Sequence, residues 1–275
     1  MTQQKKTNNI LLNLDNRLSV QVTLTGLSFL VTNSFTKKTV FFIEEVFDAP
    51  PTPEELLLTI ERVFYETPSL QGKFKEVSII YATNLYTLVP QALFDDTKTS
   101  EYLKFNSKML SNDVVVHDVV ENHGIVVVYV PYMNINNYLF DRYGTFQYYH
   151  SMSVLLKAFL STEKYSREPK VFIHVLEDAF DLIILTNGEL TLGNTYSYKT
   201  PEDFIYYVLF SLEQLKINPD TVHIQLCGAI LENDSRYQAL YQYVRNVSFC
   251  HSIALQLNEI EGSASHEKFV LKNTL

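Results

Sequence analysis

The side chains best suited to chemistry lie in two runs, KVFIHVLEDAFDLIIL at 170–185 and TVHIQLCG at 221–228. His174 falls in the first, and His223, Gln225 and Cys227 recur at period two in the second. Alternate residues of a β-strand face the same side. A sheet that paired these runs would gather His174, His223, Gln225 and Cys227 on one face, and imidazole with thiolate suits zinc. The plainer reading is a set of hydrogen-bonded core side chains. It is preferred because neither H-x-x-x-H nor C-x-x-C anchors a site. No metal is expected.

Nucleophilic chemistry has less support. There is no G-x-S-x-G elbow. Cys250 and His251 are adjacent, so on a strand they point to opposite faces. Glu177-Asp178 and Asp113/Asp118 could be read as paired carboxylates. With 31 acidic and 22 basic residues, however, a solvated surface offers many such pairs.

Composition narrows the function classes. The net charge is −9, and no basic run goes beyond Lys5-Lys6 and Lys37-Lys38. Nucleic-acid backbones and anionic membrane surfaces need clustered Lys and Arg, so neither is an expected partner. The 8 glycines limit loops that bring backbone amides close to phosphate. The 2 cysteines are too few for a disulfide scaffold. No apolar run approaches the ~18 residues of a membrane span, and the polar N-terminus shows no signal-peptide core. A cytoplasmic protein with free thiols is expected. The chain also holds 18 Phe and 18 Tyr but no Trp. Eight of these rings fall between Tyr129 and Tyr149, read either as an interface patch or as packing of a small subdomain against the second half.

The elements that must position these residues come in a repeated order. Residues 1–17 read as a loose arm. Strands follow at 18–24, 27–32 and 39–44. A helix then starts at Thr52-Pro53 with Glu55 as the capping-box acid, and an apolar strand covers 77–81. A second helix is predicted at 90–103, a hairpin from 113–120 and 124–130, then a helix at 134–143, a strand at 146–149 and a helix at 152–160. A polar linker occupies 162–169. The order then recurs: strands at 170–176, 180–186 and 189–198 around an Asn187-Gly188 turn, a helix opened by Thr200-Pro201 with Asp203, and a strand at 221–226. A helix at 235–247 and a strand at 252–257 follow. The tail is polar apart from Phe269-Val270-Leu271.

Hairpin, third strand, helix and parallel strand make the core of the ribonuclease-H-like fold. Two such halves in tandem resemble the actin-like ATPase superfamily. The chain is similar to an uncharacterised bacterial family of that fold, most clearly in TLVPQALFD (87–95) with YLKFN (102–106), VVVYVPYMNINNYL (126–139) and HSMSVLLKAFL (150–160). The resemblance implies an α/β architecture of two tandem ribonuclease-H-like halves, with mixed five-stranded sheets flanked by helices, related by internal duplication. The halves are expected at 1–165 and 166–275, with a small α+β subdomain inserted at about 107–161. Its block at 113–160 is similar to the inserted subdomain of pilus-assembly and cell-division members, which act largely through partner proteins.

The resemblance also says where a nucleotide would sit. Its first phosphate turn corresponds to 23–28 (TLTGLS), which keeps Gly26 and hydroxyls such as Thr25 but has no acid. The second corresponds to Glu177-Asp178-Ala179-Phe180, acidic and without glycine. Two carboxylates there repel phosphate unless a divalent metal lies between them. The adenosine loop corresponds to 226–229 (LCGA), with Gly228 where paired glycines are expected. The expectation is a degenerate nucleotide site at Thr25, Gly26, Glu177, Asp178 and Gly228, with no catalytic residue and no cofactor. The protein is expected to bind a protein partner or small ligand without catalysis. The alternative is a divergent Mg-ATP-binding protein with weak or no hydrolysis.

Overall fold

Three apolar-rich runs at the start of each half fold into an antiparallel ribbon of three strands; in 18–24 the apolar residues alternate with the period of two of a strand. The computed structural model describes residues 15–104, 113–250, 260 and 262–274. In the first half β1 (Asn16–Thr23), β2 (Gly26–Asn33) and β3 (Thr39–Val46) form the ribbon. Helix α1 (Pro53–Glu66) carries the chain over to β4 (Glu76–Ala82), which pairs parallel with β1. Strand β5 (Tyr86–Pro90), helix α2 (Thr99–Lys104), β6 (Val116–Val120) and β7 (Ile125–Tyr129) follow. Their three-stranded sheet has the order β5-β7-β6. Helix α3 (Met133–Tyr143), β8 (Gln147–His150) and α4 (Ser151–Thr162) return to the first sheet, where β8 pairs with β4.

The second half runs β9 (Lys170–Val175), β10 (Ala179–Thr186), β11 (Glu189–Ser197), α5 (Pro201–Gln214), β12 (His223–Gly228), α6 (Ser235–Tyr243), β13 (Asn246–Phe249) and α7 (Phe269–Asn273). The two large sheets have the same order, β3-β2-β1-β4-β8 and β11-β10-β9-β12-β13. Each is mixed, because only the first three strands of each half are antiparallel neighbours. The predicted α/β class and two five-stranded mixed sheets are therefore present.

The equivalent helices α1 and α5 begin alike. Thr52 Oγ1 accepts from Glu55 N and Thr52 N donates to Glu55 Oε2. Thr200 and Asp203 make the same reciprocal pair. Each box satisfies donors that a helix start leaves free, an effect of ~1 kcal/mol.

One face of the first sheet is apolar. Val20, Phe29 and Ile79 lie side by side in register, and Phe29 meets Phe64 of α1 edge-on at 5.5 Å. The second sheet buries Val171, Ile173, Leu182 and Ile184 with Phe204, Val208 and Leu240 of α5 and α6. Between the sheets lies a layer made by α4 and α7, in which Phe159 stacks on Phe172 at 4.0 Å and on Phe269 at 5.2 Å.

Several expectations are corrected. Residues 16 and 17 belong to β1, not to an arm, and Asn16 is buried. The helix expected at 90–103 is shortened to α2 at its end. Before it, Asp95 Oδ1 accepts from Thr97 N, and the Tyr102 hydroxyl bonds Leu93 O and Asp95 N, so residues 91–98 form tight turns instead. The small sheet begins at Tyr86, ahead of the expected 107, while β8 and α4 belong with the first large sheet. Helix α6 stops at Tyr243, because Val244 turns extended and β13 completes the sheet beside β12. The strand expected at 252–257 lies outside the described residues.

The ring cluster at 129–149 packs mainly within the first half. Tyr138 and Tyr143 lie against Phe64, and Tyr132 against Tyr81. Phe269-Val270-Leu271, a lone apolar run in a polar tail, is fully buried in the layer between the sheets.

Phe159→Ala empties the middle of the three-ring stack. It is expected to cost about 3–5 kcal/mol of unfolding free energy in denaturant titration. A loss within ~1 kcal/mol would mean that the layer does not depend on this ring.

Candidate functional site

In each half the first hairpin turn lies at the end of a parallel strand, where a ligand of an open α/β sheet is normally met. The first turn is closed on itself. Thr23 Oγ1 donates to Gly26 O at 3.0 Å and accepts from Thr25 N at 3.2 Å. Phe47 N takes the Thr25 carbonyl at 2.9 Å. The glycine has a packing reason: a Cβ at Gly26 would lie 2.6 Å from the Glu45 carbonyl oxygen on β3. Lys268, just before α7, pairs with Glu44 beside this turn, and Ser28 Oγ donates to the same carboxylate.

The second turn presents Glu177 and Asp178 to solvent. Its backbone is held from behind. Tyr198 OH lies 2.7 Å from Leu176 O and 2.9 Å from Glu177 O, and Tyr198 N donates to Asp178 O. Arg236 of α6 donates to the Tyr198 oxygen, to Leu176 O at 3.3 Å and to Ala229 O at 2.9 Å. It also pairs with Asp234. Those hydrogen bonds hold the Asp234 carboxyl below its ordinary range and raise the guanidinium above its own. One cation therefore ties the end of β9 to the end of β12.

At the third position the glycine is needed for conformation and for space. Gly228 has φ +88°, and a Cβ there would lie 2.2 Å from Val175 O. Its amide donates to His266 O at 3.0 Å, and the Ala229 amide donates to Val175 O at 2.7 Å. His266 Nε2–H donates to Ile230 O at 2.6 Å, and its ring stacks on Phe249. The segment before α7 thus occupies the backbone groups of this loop.

The His/Cys set separates. Cys227 is the register partner of His174, but His223 pairs with Lys170 at the far end of β12 and is exposed. Four residues of strand put it ~13 Å from Cys227. Gln225 lies opposite Phe172. Among the described residues no three His, Cys, Asp or Glu side chains converge as metal ligands. Burial, then a hydrogen bond with Cys250, pushes the Cys227 thiol well above its usual range, which disfavours the thiolate that a metal needs.

Two buried polar residues, Asp181 and His150, and the half-buried Asp118 make contacts that the sequence does not reveal. Asp181 interrupts the apolar run AFDLIIL and lies 2.9 Å from His174 Nδ1. That lone acid in a buried strand was the available signal. His150 caps α4: its Nδ1 accepts from Met152 N, and Nε2 donates to Thr83 O at 3.0 Å. Asp118, expected on a solvated surface, accepts from His150 N, Ser153 Oγ and Tyr129 OH. Burial raises its carboxyl, with these hydrogen bonds opposing.

These loop positions sit on an actin-like ATPase fold. A solved structure from Bacteroides thetaiotaomicron VPI-5482, described as a protein with that fold and unknown function, matches with a TM-score of 0.78 at 22% identity. The match covers 86% of this chain and 91% of that one. The ethanolamine utilization protein EutJ from Carboxydothermus hydrogenoformans matches with a TM-score of 0.50 at 7% identity, over 94% and 88% of the two chains. The family itself follows from sequence. Residues 5–247 match the model of the family described as "Protein of unknown function (DUF3822)", and the chain belongs to that family. No curated protein matches the sequence.

Two outcomes follow. Gly228→Ala forces a strained φ and a clash with Val175 O, so it should cost at least ~1–3 kcal/mol in chemical unfolding. Wild-type stability would contradict the close approach. Burial lowers the His150 pKa to about 4 from the ordinary 6.5. Below about pH 6.5 the unfolded chain takes up a proton that the folded chain refuses, so stability should fall as pH drops to about 4, by on the order of 3 kcal/mol. His150→Asn should flatten that part of the profile. A slope unchanged in the variant would assign it to other groups.

Proposed function

We propose that the protein is a non-catalytic binding protein, built on an actin-like ATPase scaffold whose nucleotide site is degenerate. The supporting observation is internal satisfaction of the loops that would hold a nucleotide. The Gly228 amide is taken by His266, the second turn's carbonyls by Tyr198 and Arg236, and the first turn closes through Thr23. A phosphate needs converging free amides and cations. Here Lys268 and Arg236 are engaged by Glu44 and Asp234, while Glu177 and Asp178 face outward.

The work left to such a scaffold is recognition of a protein partner or a small ligand. Support comes from large rings left in solvent on the second half, Tyr206 and Phe210 on α5 and Tyr241 and Tyr243 on α6. Such residues carry much of the binding energy in interfaces. The site needs no cofactor in this reading. The described residues include no helix long and apolar enough to cross a membrane. A cytoplasmic bacterial setting is part of the same proposal, in keeping with the two free buried thiols.

The second reading is a divergent Mg-ATP-binding protein with weak or no hydrolysis, in which adjacent Glu177 and Asp178 would bracket the metal. Thermal unfolding with millimolar Mg-ATP separates the two. No rise in Tm is expected. A rise that disappears in Glu177→Ala/Asp178→Ala protein would overturn the non-nucleotide reading and establish the second.

A further inference from the structure

Strands β5 and β11 are both edge strands, one of the small sheet and one of the second large sheet. Exposed edges invite pairing and are usually protected. Here they meet each other, running in opposite directions: Tyr86 reaches Thr195, and Leu88 reaches Gly193. A Cβ at position 193 would lie 2.7 Å from Leu88 Cδ1, nearer than side chains come. With a side chain there, the end of Leu88 would have to turn aside.

The polar half of the contact is a directed chain. Thr195 has one hydroxyl hydrogen and gives it to Asp181 Oδ1 at 2.5 Å. Tyr86 must therefore be the donor across the 2.8 Å contact to Thr195 Oγ1. Asp181 Oδ2 lies 2.9 Å from His174 Nδ1, whose hydrogen satisfies the carboxylate's other oxygen. Asp181 and His174 are each 3% exposed, so water does not substitute for these partners. On the first-half side, the Tyr86 ring lies on His150 with centroids 4.5 Å apart. The chain thus joins the small sheet to β11, β10 and β9 in turn. Beyond Leu88 the two edges diverge. They leave a groove of about 1110 Å³ lined by Pro90, Ile125, Lys164, Leu190 and Thr191 among others.

We propose that the β5–β11 contact is a latch. The Tyr86–Thr195 bond and the Leu88–Gly193 fit clamp the inserted sheet of the first half onto the second half, and releasing them lets the two edges part along the groove. The latch residues lie at sheet edges and outside the three-ring stack, although Tyr86 and Leu88 pack against the same core. It does not depend on whether a nucleotide binds.

Hydrogen–deuterium exchange of the full chain tests this. Gly193→Val displaces the Leu88 side chain from β11, Tyr86→Phe removes the donor, and Tyr241→Phe, an exposed phenol, is the control. Both latch variants should speed exchange at 86–90 and 189–197 by about tenfold, the effect of losing one buried contact on local opening. Peptides from β4 and β9, and the control protein, should stay at wild-type rates. Unchanged exchange at those two segments overturns the latch. So does equal acceleration in β4 and β9, which would make the contact an ordinary part of global stability. If Gly193→Val fails to fold, Tyr86→Phe alone decides by the same criteria.

Discussion

The two large sheets are joined through three stacked rings. Phe159 of α4 lies between Phe172 of β9 and Phe269 of α7, at 4.0 and 5.2 Å. The 5.2 Å pair lies in the range where rings attract beyond the area they bury. The arrangement also fixes position: a ring from the first half is held between two from the second. Once the layer is set, α7 lies against β1 and β12, and the segment before it can reach the end of β12.

That placement connects packing to the candidate site. Phe269 is anchored in the stack, and His266, three residues earlier, delivers its carbonyl to the Gly228 amide. Lys268, between them, reaches Glu44 beside the first turn. A short segment therefore touches two of the three loops where a nucleotide would be held. Arg236 and Tyr198 secure the third. The loops are supported from within, and their free surface is acidic at Glu177 and Asp178. Small changes in how α7 sits would be felt at Gly228, whose backbone tolerates no Cβ.

Much of the scaffold was legible in the sequence because its signals are local. The Thr-Pro helix starts at 52 and 200 state their hydrogen bonds in adjacent residues, and both capping boxes formed. Asn187-Gly188 marks its hairpin, with both residues at positive φ. The site was less legible because its contacts are distant. Nothing near Gly228 in sequence says that His266 will claim its amide. Strand alternation grouped His174, His223, Gln225 and Cys227 on one face but could not show that His223, opposite Lys170, lies far along the strand from Cys227. Apolar Phe269-Val270-Leu271 in a polar tail was the visible hint that the tail returns to the core.

The central claim is that the Gly228 amide is held inside the protein and is not free for a ligand. Residue-specific amide exchange by NMR, with and without Mg-ATP, reads this directly. A slowly exchanging Gly228 amide is expected, its rate and chemical shift unchanged by nucleotide. A fast-exchanging amide, or one that shifts and becomes protected only when Mg-ATP is added, would contradict it.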